Sequence, residues 1–393
     1  MSTLTVGTIS EKVSGAGVAV DGVTLKDGGV GTTSSAVALH ASSLNGGQFG
    51  GRRNIIINGR MDLDQRNGGS EVVPASDAYT LDRFRYNASQ ASKLKVQQNA
   101  QADTPPEGFS NYLGVTVNAT HTVASTDNFF LTYFVEGFDS AHLDFGKSTA
   151  KTVTLSFYVR STLTGTFSGS IVNSAENRAY PYTYTISSAD TWERKTITIA
   201  GDTSGTWIGA TNGKGLMLTF SLGMGSNFTG TAGQWNGAQD FGATGETVKL
   251  VENASAEWKM TGLQLEVGQA TPFEHLSYGE TLALAQRYYT LLASGDAKTL
   301  ANMQQYNSTT LFGVYPLPVE MRAVATLEQV TGTGYYNHFR NGGVDAFDEL
   351  ESDTSTARAM ELHVGSGISG TAGHAGWVRT GNASSHVAVS AEL

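Results

Sequence analysis

The stretch Lys151-Thr-Val-Thr-Leu-Ser-Phe-Tyr-Val-Arg160 decides the fold class. Val153, Leu155, Phe157 and Val159 alternate with Thr152, Thr154, Ser156 and Tyr158. A period of two gives a strand one buried face and one wet face. Helical spacing would scatter the same apolar residues around a cylinder. Ser161 to Gly165 supplies a turn, and Thr166 to Asn173 runs back with Phe167, Gly169 and Ile171 in phase. The pattern predicts a hairpin at the centre of an antiparallel sandwich.

Composition agrees with an all-β chain. Gly accounts for 47 of 393 residues and charged residues for only 15%, against a usual charged share of roughly 25%. Many tight turns and few helix formers follow from that balance. Acidic residues outnumber basic ones by 35 to 25, and an acidic surface repels phosphate backbones, so no nucleic-acid partner is expected. The absence of cysteine removes disulfides, thiol nucleophiles and thiolate metal sites together. Met1 to Ser10 lacks a basic region followed by an apolar one, so no signal peptide is expected. No run approaches a bilayer's thickness in apolar residues, and no membrane insertion is expected.

Outward from the opening stretch, the chain divides into four segments. Residues 1–53 carry short alternations, Val18-Ala-Val20 and Val23-Thr-Leu25, broken by Asp21-Gly22 and Asp27-Gly28. Such strands have no core of their own. They predict an extended stalk whose apolar side chains are buried by identical neighbouring chains, a homotrimer by preference, with a flexible tail as the plainer reading. Residues 54–275 predict a jelly-roll β-sandwich. Ile55-Ile-Ile57 enters it, Asn58-Gly59 turns the chain, and Phe129 to Glu136 is apolar on both faces, as in a central strand. In Trp258 to Glu266 the apolar phase switches at Gly262, which predicts a β-bulge there. Residues 276–296 predict a linking helix, with Leu282, Ala285, Tyr289 and Leu292 at helical spacing, a Ser277-x-x-Glu280 capping box and Gly295 as C-terminal cap. Residues 297–393 predict a small C-terminal β domain with strands at 310–315, 324–330, 359–364 and 386–391.

Several short motifs jointly resemble the structural proteins of tailed bacteriophages. They are Asn54-Ile-Ile-Ile-Asn-Gly59, Gln65-Arg66, Asp82-Arg83-Phe84, Thr191-Trp192-Glu193, Gly205-Thr206-Trp207, Thr261-Gly-Leu-Gln-Leu-Glu266, Ala270-Thr-Pro-Phe-Glu274, Gln286-Arg-Tyr-Tyr289, Val319-Glu-Met-Arg322 and Ala391-Glu-Leu393. The resemblance implies a virion appendage such as a tail fibre, often trimeric, in contact with other phage structural proteins. The central segment is also similar to jelly-roll carbohydrate-binding modules. Those modules often hold a structural calcium between their ends, where Thr261 here replaces a common Asp.

Enzymatic signatures are poor. Gly365-Ser-Gly-Ile-Ser-Gly370 matches a dinucleotide fingerprint by letters, but no helix-forming segment follows it. The 8 histidines form no His-x-x-x-His pair. Asp62-x-Asp64 opens like a calcium loop but lacks the later Gly and Glu, so neither a metal nor another cofactor is expected. Glu136 with Asp139, and Glu266 with Glu274, are the carboxylate pairs a glycan depolymerase could use. Binding makes the better case, because aromatic rings stack on sugar C–H faces while polar groups take the hydroxyls. The candidates are Tyr180, Tyr182 and Tyr184 on one strand face, Trp207 in a loop, and Trp235 between Gln234 and Asn236. The plainer reading of the tyrosines is packing between sheets. The expectation is therefore a non-enzymatic virion protein that attaches the particle to host surface polysaccharide. A ligand-free head fibre or capsid decoration, and a depolymerase, are the rivals.

Overall fold

This computed structural model describes strand residues 18–20, 23–26 and 29–32 and all residues from 51 onward. Val18–Val20 (β1), Val23–Lys26 (β2) and Gly29–Thr32 (β3) pair antiparallel in that order, with Val18 opposite Leu25 and Val23 opposite Thr32. Both Asp-Gly pairs and most of the expected stalk lie outside the described residues.

Residues 51–393 belong to one compact unit whose larger part is an antiparallel jelly-roll sandwich. One sheet contains Ala78–Tyr79 (β4), Phe84–Ala88 (β5), Asn128–Glu136 (β8), Val153–Ser161's successor Gly165–Asn173 (β10), Ala179–Ile186 (β11) and Lys214–Met224 (β13), in the order β11-β10-β13-β8-β5-β4. The other contains Leu94–Gln98 (β6), Leu113–Val117 (β7), Val153–Ser161 (β9), Glu193–Ile199 (β12) and Glu257–Val267 (β16), in the order β12-β9-β16-β7-β6. The strand Phe129 to Glu136 is central as expected, flanked by β13 and β5. Thr229–Gly230 (β14) and Gly242–Ala243 (β15) form a short parallel pair in the loop between β13 and β16.

The opening stretch is a strand, but not half of a hairpin. β9 pairs with β12 and β16, whereas β10 pairs with β11 and β13. Ser161 to Gly165 therefore carries the chain from one sheet to the other. Val153, Leu155, Phe157 and Val159 face Phe167, Ile171 and Phe220 in one shared core. Thr154 and Ser156 are buried too, so the face read as wet is covered near its start. The bulge expected at Gly262 is present: pairing of β16 with β9 slips between Thr261 and Gln264, and Gly262 has φ +63°. A positive φ suits glycine because no Cβ meets the backbone.

The helix is half the expected length. Tyr278–Gln286 (α2, the second helix after the four-residue α1 at Gly137–Ser140) begins at the full Ser277/Glu280 capping box. Beyond it, Tyr289–Ser294 (β17) is a strand, because its backbone pairs with His386–Ser390 (β25). Gly295 turns the chain after that strand instead of capping a helix. β17, β25 and Thr326–Gln329 (β20) form one small sheet in the order β17-β25-β20. Thr299–Gln305 (β18), Leu311–Pro316 (β19), Tyr336–Arg340 (β21), Gly343–Phe347 (β22), Ala359–Val364 (β23) and Ala375–Thr380 (β24) form another, in the order β22-β21-β24-β18-β19-β23. A second apolar core including Leu311, Met360, Leu362, Val378 and Val389 serves these sheets. The Asn341-Gly342-Gly343 turn joins β21 to β22.

Five of the sequence motifs meet where the sandwich abuts the C-terminal sheets. The fully buried Arg83 pairs with Glu392, donates to the Phe134 carbonyl at 2.6 Å and lies 3.5 Å above the Tyr288 ring. Arg66 covers the Tyr289 ring at 3.5 Å. Gln65 donates to Asp82 at 2.6 Å and to the Tyr289 carbonyl. Arg322 donates to the carbonyls of Ala391 and Glu392. These motifs build a junction.

Candidate functional site

Alternation along the six-stranded sheet sends Phe84, Tyr86, Leu131 and Tyr133 into the sandwich core and leaves Arg85, Asn87, Phe130 and Phe134 on the opposite, outer face. Across the sheet, Met217 of β13 joins that outer face. The loop after β13 folds over it and adds Phe228 and Phe241, anchored where Thr219 donates to the Phe241 carbonyl at 2.7 Å. Phe130 stacks on Phe241 at 5.0 Å, and Phe241 on Phe228 at 5.9 Å. Burial of these rings explains why β8 reads as apolar on both faces.

Above this phenylalanine floor runs a polar groove of about 380 Å³. One wall carries Asp77, Arg85 and Asn87, in which Asp77 accepts from both neighbours. The other carries Glu176 and Gln239, joined at 2.5 Å. Between them Lys214 places its ammonium 4.5 Å from the centre of the Phe134 ring, within cation–π range. No carboxylate pairs with it at salt-bridge distance among the described residues. Desolvation, then the nearby Arg85 charge, lowers its pKa below the ordinary lysine value. Glu176 and Asp77 oppose that shift, and an anionic ligand group would favour the charged ammonium further.

The residues singled out by sequence lie elsewhere. Tyr182 and Tyr184 are core residues: the Tyr182 hydroxyl donates to the Thr219 carbonyl at 2.6 Å, and the Tyr184 hydroxyl accepts from Trp258. Tyr180 is also buried. The tyrosine face is thus packing between sheets and offers no ring to a sugar, because β11 turns that face inward. Trp235, Trp207 and Tyr180 do come together, around Phe145 at one end of the sandwich. Trp235 sits edge-on to Tyr180, Trp207 and Phe145 at 5.2, 5.5 and 5.7 Å, and its indole N–H donates to the Ala200 carbonyl. It supports Trp207 from behind. Gln234 donates to Asn236, while Asn236 donates to the Thr231 carbonyl, so both amides are partly used inside the loop.

Trp207 is held by the buried Asp202, which also takes two N–H donors from Arg178. With Phe145 and Ile208 it lines a cavity of about 270 Å³. The polar side chains at that mouth, Asp144 and Lys147, are bonded to each other at 2.8 Å. The cavity is smaller and chemically poorer than the groove.

The paired acids serve the scaffold. Glu136 binds Arg287 through both oxygens and accepts from Tyr288. Glu266 accepts from Thr271, and Glu274 from the backbone amides of residues 53 and 54. Asn54 likewise gives its oxygen to the amides of Ile56 and Leu265. The oxygens of Glu266, Glu274 and Asn54 thus accept N–H and O–H donors of the chain itself. No cluster of three or more metal-binding side chains occurs among the described residues.

The groove escaped a reading by motif because its residues come from five separate segments. A usable signal existed: Arg85 and Asn87 alternate with Phe84 and Tyr86, and the outer phase of β8 is phenylalanine beneath a polar neighbour strand.

No protein-family model matches the sequence, and no curated protein matches it. Among solved structures it is similar to the family 11 carbohydrate-binding module of a Clostridium thermocellum cellulosomal cellulase (TM-score 0.26, 11% identity, 53% of this chain and 100% of that one). It is similar to a putative sugar binding protein from Bacteroides thetaiotaomicron (TM-score 0.31, 13% identity, 55% and 100%). A third likeness is to the enzymatically active domain of bacteriophage CBA120 tailspike protein 4 (TM-score 0.30, 11% identity, 55% and 21%). Each of these is a likeness only.

Proposed function

We propose that the chain is a non-catalytic glycan-binding component of a bacteriophage virion, an external fibre that attaches the particle to host surface polysaccharide. The observation that carries the glycan reading is the groove on the six-stranded sheet. It sets hydroxyl, amide and charged groups above an aromatic floor, and its length across several strands suits a linear chain. The unpaired Lys214 beside Arg85 favours saccharides that bear carboxylates. The virion assignment is supported by the motif resemblance.

The test is a glycan array probed with the full chain and with Lys214→Met, which keeps the apolar stem over Phe134. Binding to uronic- or sialic-acid-containing glycans is expected, weakened roughly ten-fold in the variant, equivalent to about 1.4 kcal/mol. An array without hits would remove the glycan reading and leave a decorating role.

A further inference from the structure

The larger C-terminal sheet also leaves one face without a partner among the described residues. Along β18, Leu300, Ala301, Met303 and Gln305 are buried, whereas Asn302 and Gln304 stand exposed. Register sets Asn302 opposite Trp377, and Gln304 between Ala375 on one side and Phe312 on the other. Trp377 is 37% exposed and stacks on Phe339 with centroids 4.4 Å apart and planes 14° from parallel. Phe312 stacks on His363 at 5.3 Å, and next to it Val314 is 65% exposed. A recess of about 410 Å³ has Asn302 and Gln304 on its floor, Phe312 and Val314 as one wall and Ala375 at the other side, and Trp377 stands beside it, opposite Asn302 on the neighbouring strand.

We propose that this recess is a second binding site, for an uncharged saccharide chain. A pyranose ring alternates apolar C–H faces with hydroxyls, and across this face the amides of β18 stand between Phe312 of β19 and Trp377 of β24, at the spacing of neighbouring strands. The amides can donate and accept at once, as a hydroxyl requires. Among the residues that line the recess the one charged side chain is Glu361, which takes the His363 ring and the amides of Asp353 and Thr354. Arg379 lies beyond Trp377, over the Phe339 ring at 4.2 Å, and does not line it. An anionic ligand would find no counter-charge in the recess. A protein partner would need a broad, flat patch of several hundred Å², and a recess floored by amides is a poor match for that.

This site is separate from the groove of the sandwich, so each can fail alone. The full chain is labelled with 5-fluorotryptophan, and the resonances of its 5 tryptophans are followed while neutral hexasaccharides of glucose, xylose, galactose and mannose are added. The Trp377 signal is expected to shift saturably with at least one sugar, while buried Trp258 stays still. In the double variant Asn302→Ala, Gln304→Ala the shift should need more than ten-fold higher sugar, with an unchanged melting temperature. A Trp377 signal that no sugar moves overturns the inference. So does a signal that moves with protein concentration in the absence of sugar, which would mark the face as an interface between copies. Binding of acidic glycans that Lys214→Met abolishes reports only on the groove.

Discussion

Trp235 spends its ring edges on three aromatic neighbours and its N–H on a backbone carbonyl, so the residue belongs to the scaffold before it belongs to any ligand. Its polar neighbours made it look like a surface ring in the sequence. Loops that close the end of a sandwich, however, need apolar plugs as much as strands do. Trp235→Ala should remove contacts with Phe145, Tyr180 and Trp207 together. A loss of roughly 2–4 kcal/mol is expected, near the low end for a large core ring because the side chain is half-buried. Denaturant titration measures it, and glycan binding at the groove should persist below the new midpoint. An unchanged stability with lost glycan binding would return the residue to the ligand. Gly59 shows the opposite case, a residue that sequence placed correctly. An added Cβ there would lie 2.1 Å from the Leu263 carbonyl oxygen, so the Asn58-Gly59 turn is fixed by a close approach as well as by turn chemistry.

At the scale of elements, the loop after β15 buries an acid that no cation meets at salt-bridge distance among the described residues. Glu246 is half-buried, with both carboxylate oxygens out of solvent and without a well-formed hydrogen bond. Desolvation raises its pKa from the ordinary 4.5 to about 7, with Ser221 and other neighbours opposing. The folded state therefore prefers the protonated acid. Relative stability from this group is full below pH 4.5 and is lost as pH rises through about 7. The loss is on the order of 3 kcal/mol for a shift of this size. Glu246→Gln should raise the melting temperature at pH 8 and change it little at pH 4. Equal effects at both values would mean that the carboxyl is not buried in solution. Elements also show where a local pattern stops being informative. The capping box, the Gly262 bulge and the strand at the opening stretch are set by neighbours in sequence, and the local pattern names them correctly. Tyr289 to Ser294 fits a helix by spacing but becomes a strand because β25, nearly a hundred residues later, offers it a ladder. The choice that sends β10 to the opposite sheet from β9 is likewise made by β13 and β11, which a two-strand pattern does not contain.

At the scale of the molecule, the sandwich and the C-terminal sheets are joined through buried charge beside a small apolar cluster of Ile57, Leu63, Ala285 and Tyr288. Gln65-Arg66, Asp82-Arg83, Arg287-Tyr-Tyr289, Arg322 and Glu392 were visible in the sequence as separate motifs, and only the fold shows that they are one network. Arg83 has no exposed surface to speak of, and its guanidinium depends on the Glu392 carboxylate, the Phe134 carbonyl and the Tyr288 ring. The nearby acid holds Arg83 protonated against its burial. Taking away Glu392 leaves a cation in a site of low polarity, and such a break in a buried pair costs about 3–5 kcal/mol. Glu392→Ala should therefore unfold at markedly lower denaturant than the wild type. Arg66 shares the same carboxylate at 3.5 Å, so Arg66→Met and Arg83→Met together with Glu392→Leu replace the acid and both of its cations by apolar groups of similar size, and this variant should recover much of that loss because no charge is left stranded. Urea titrations of the two variants beside the wild type decide the matter. If Glu392→Ala stays within about 1 kcal/mol of wild type, the range of an exposed ion pair, the junction is wet and the two parts are held by their apolar contacts instead.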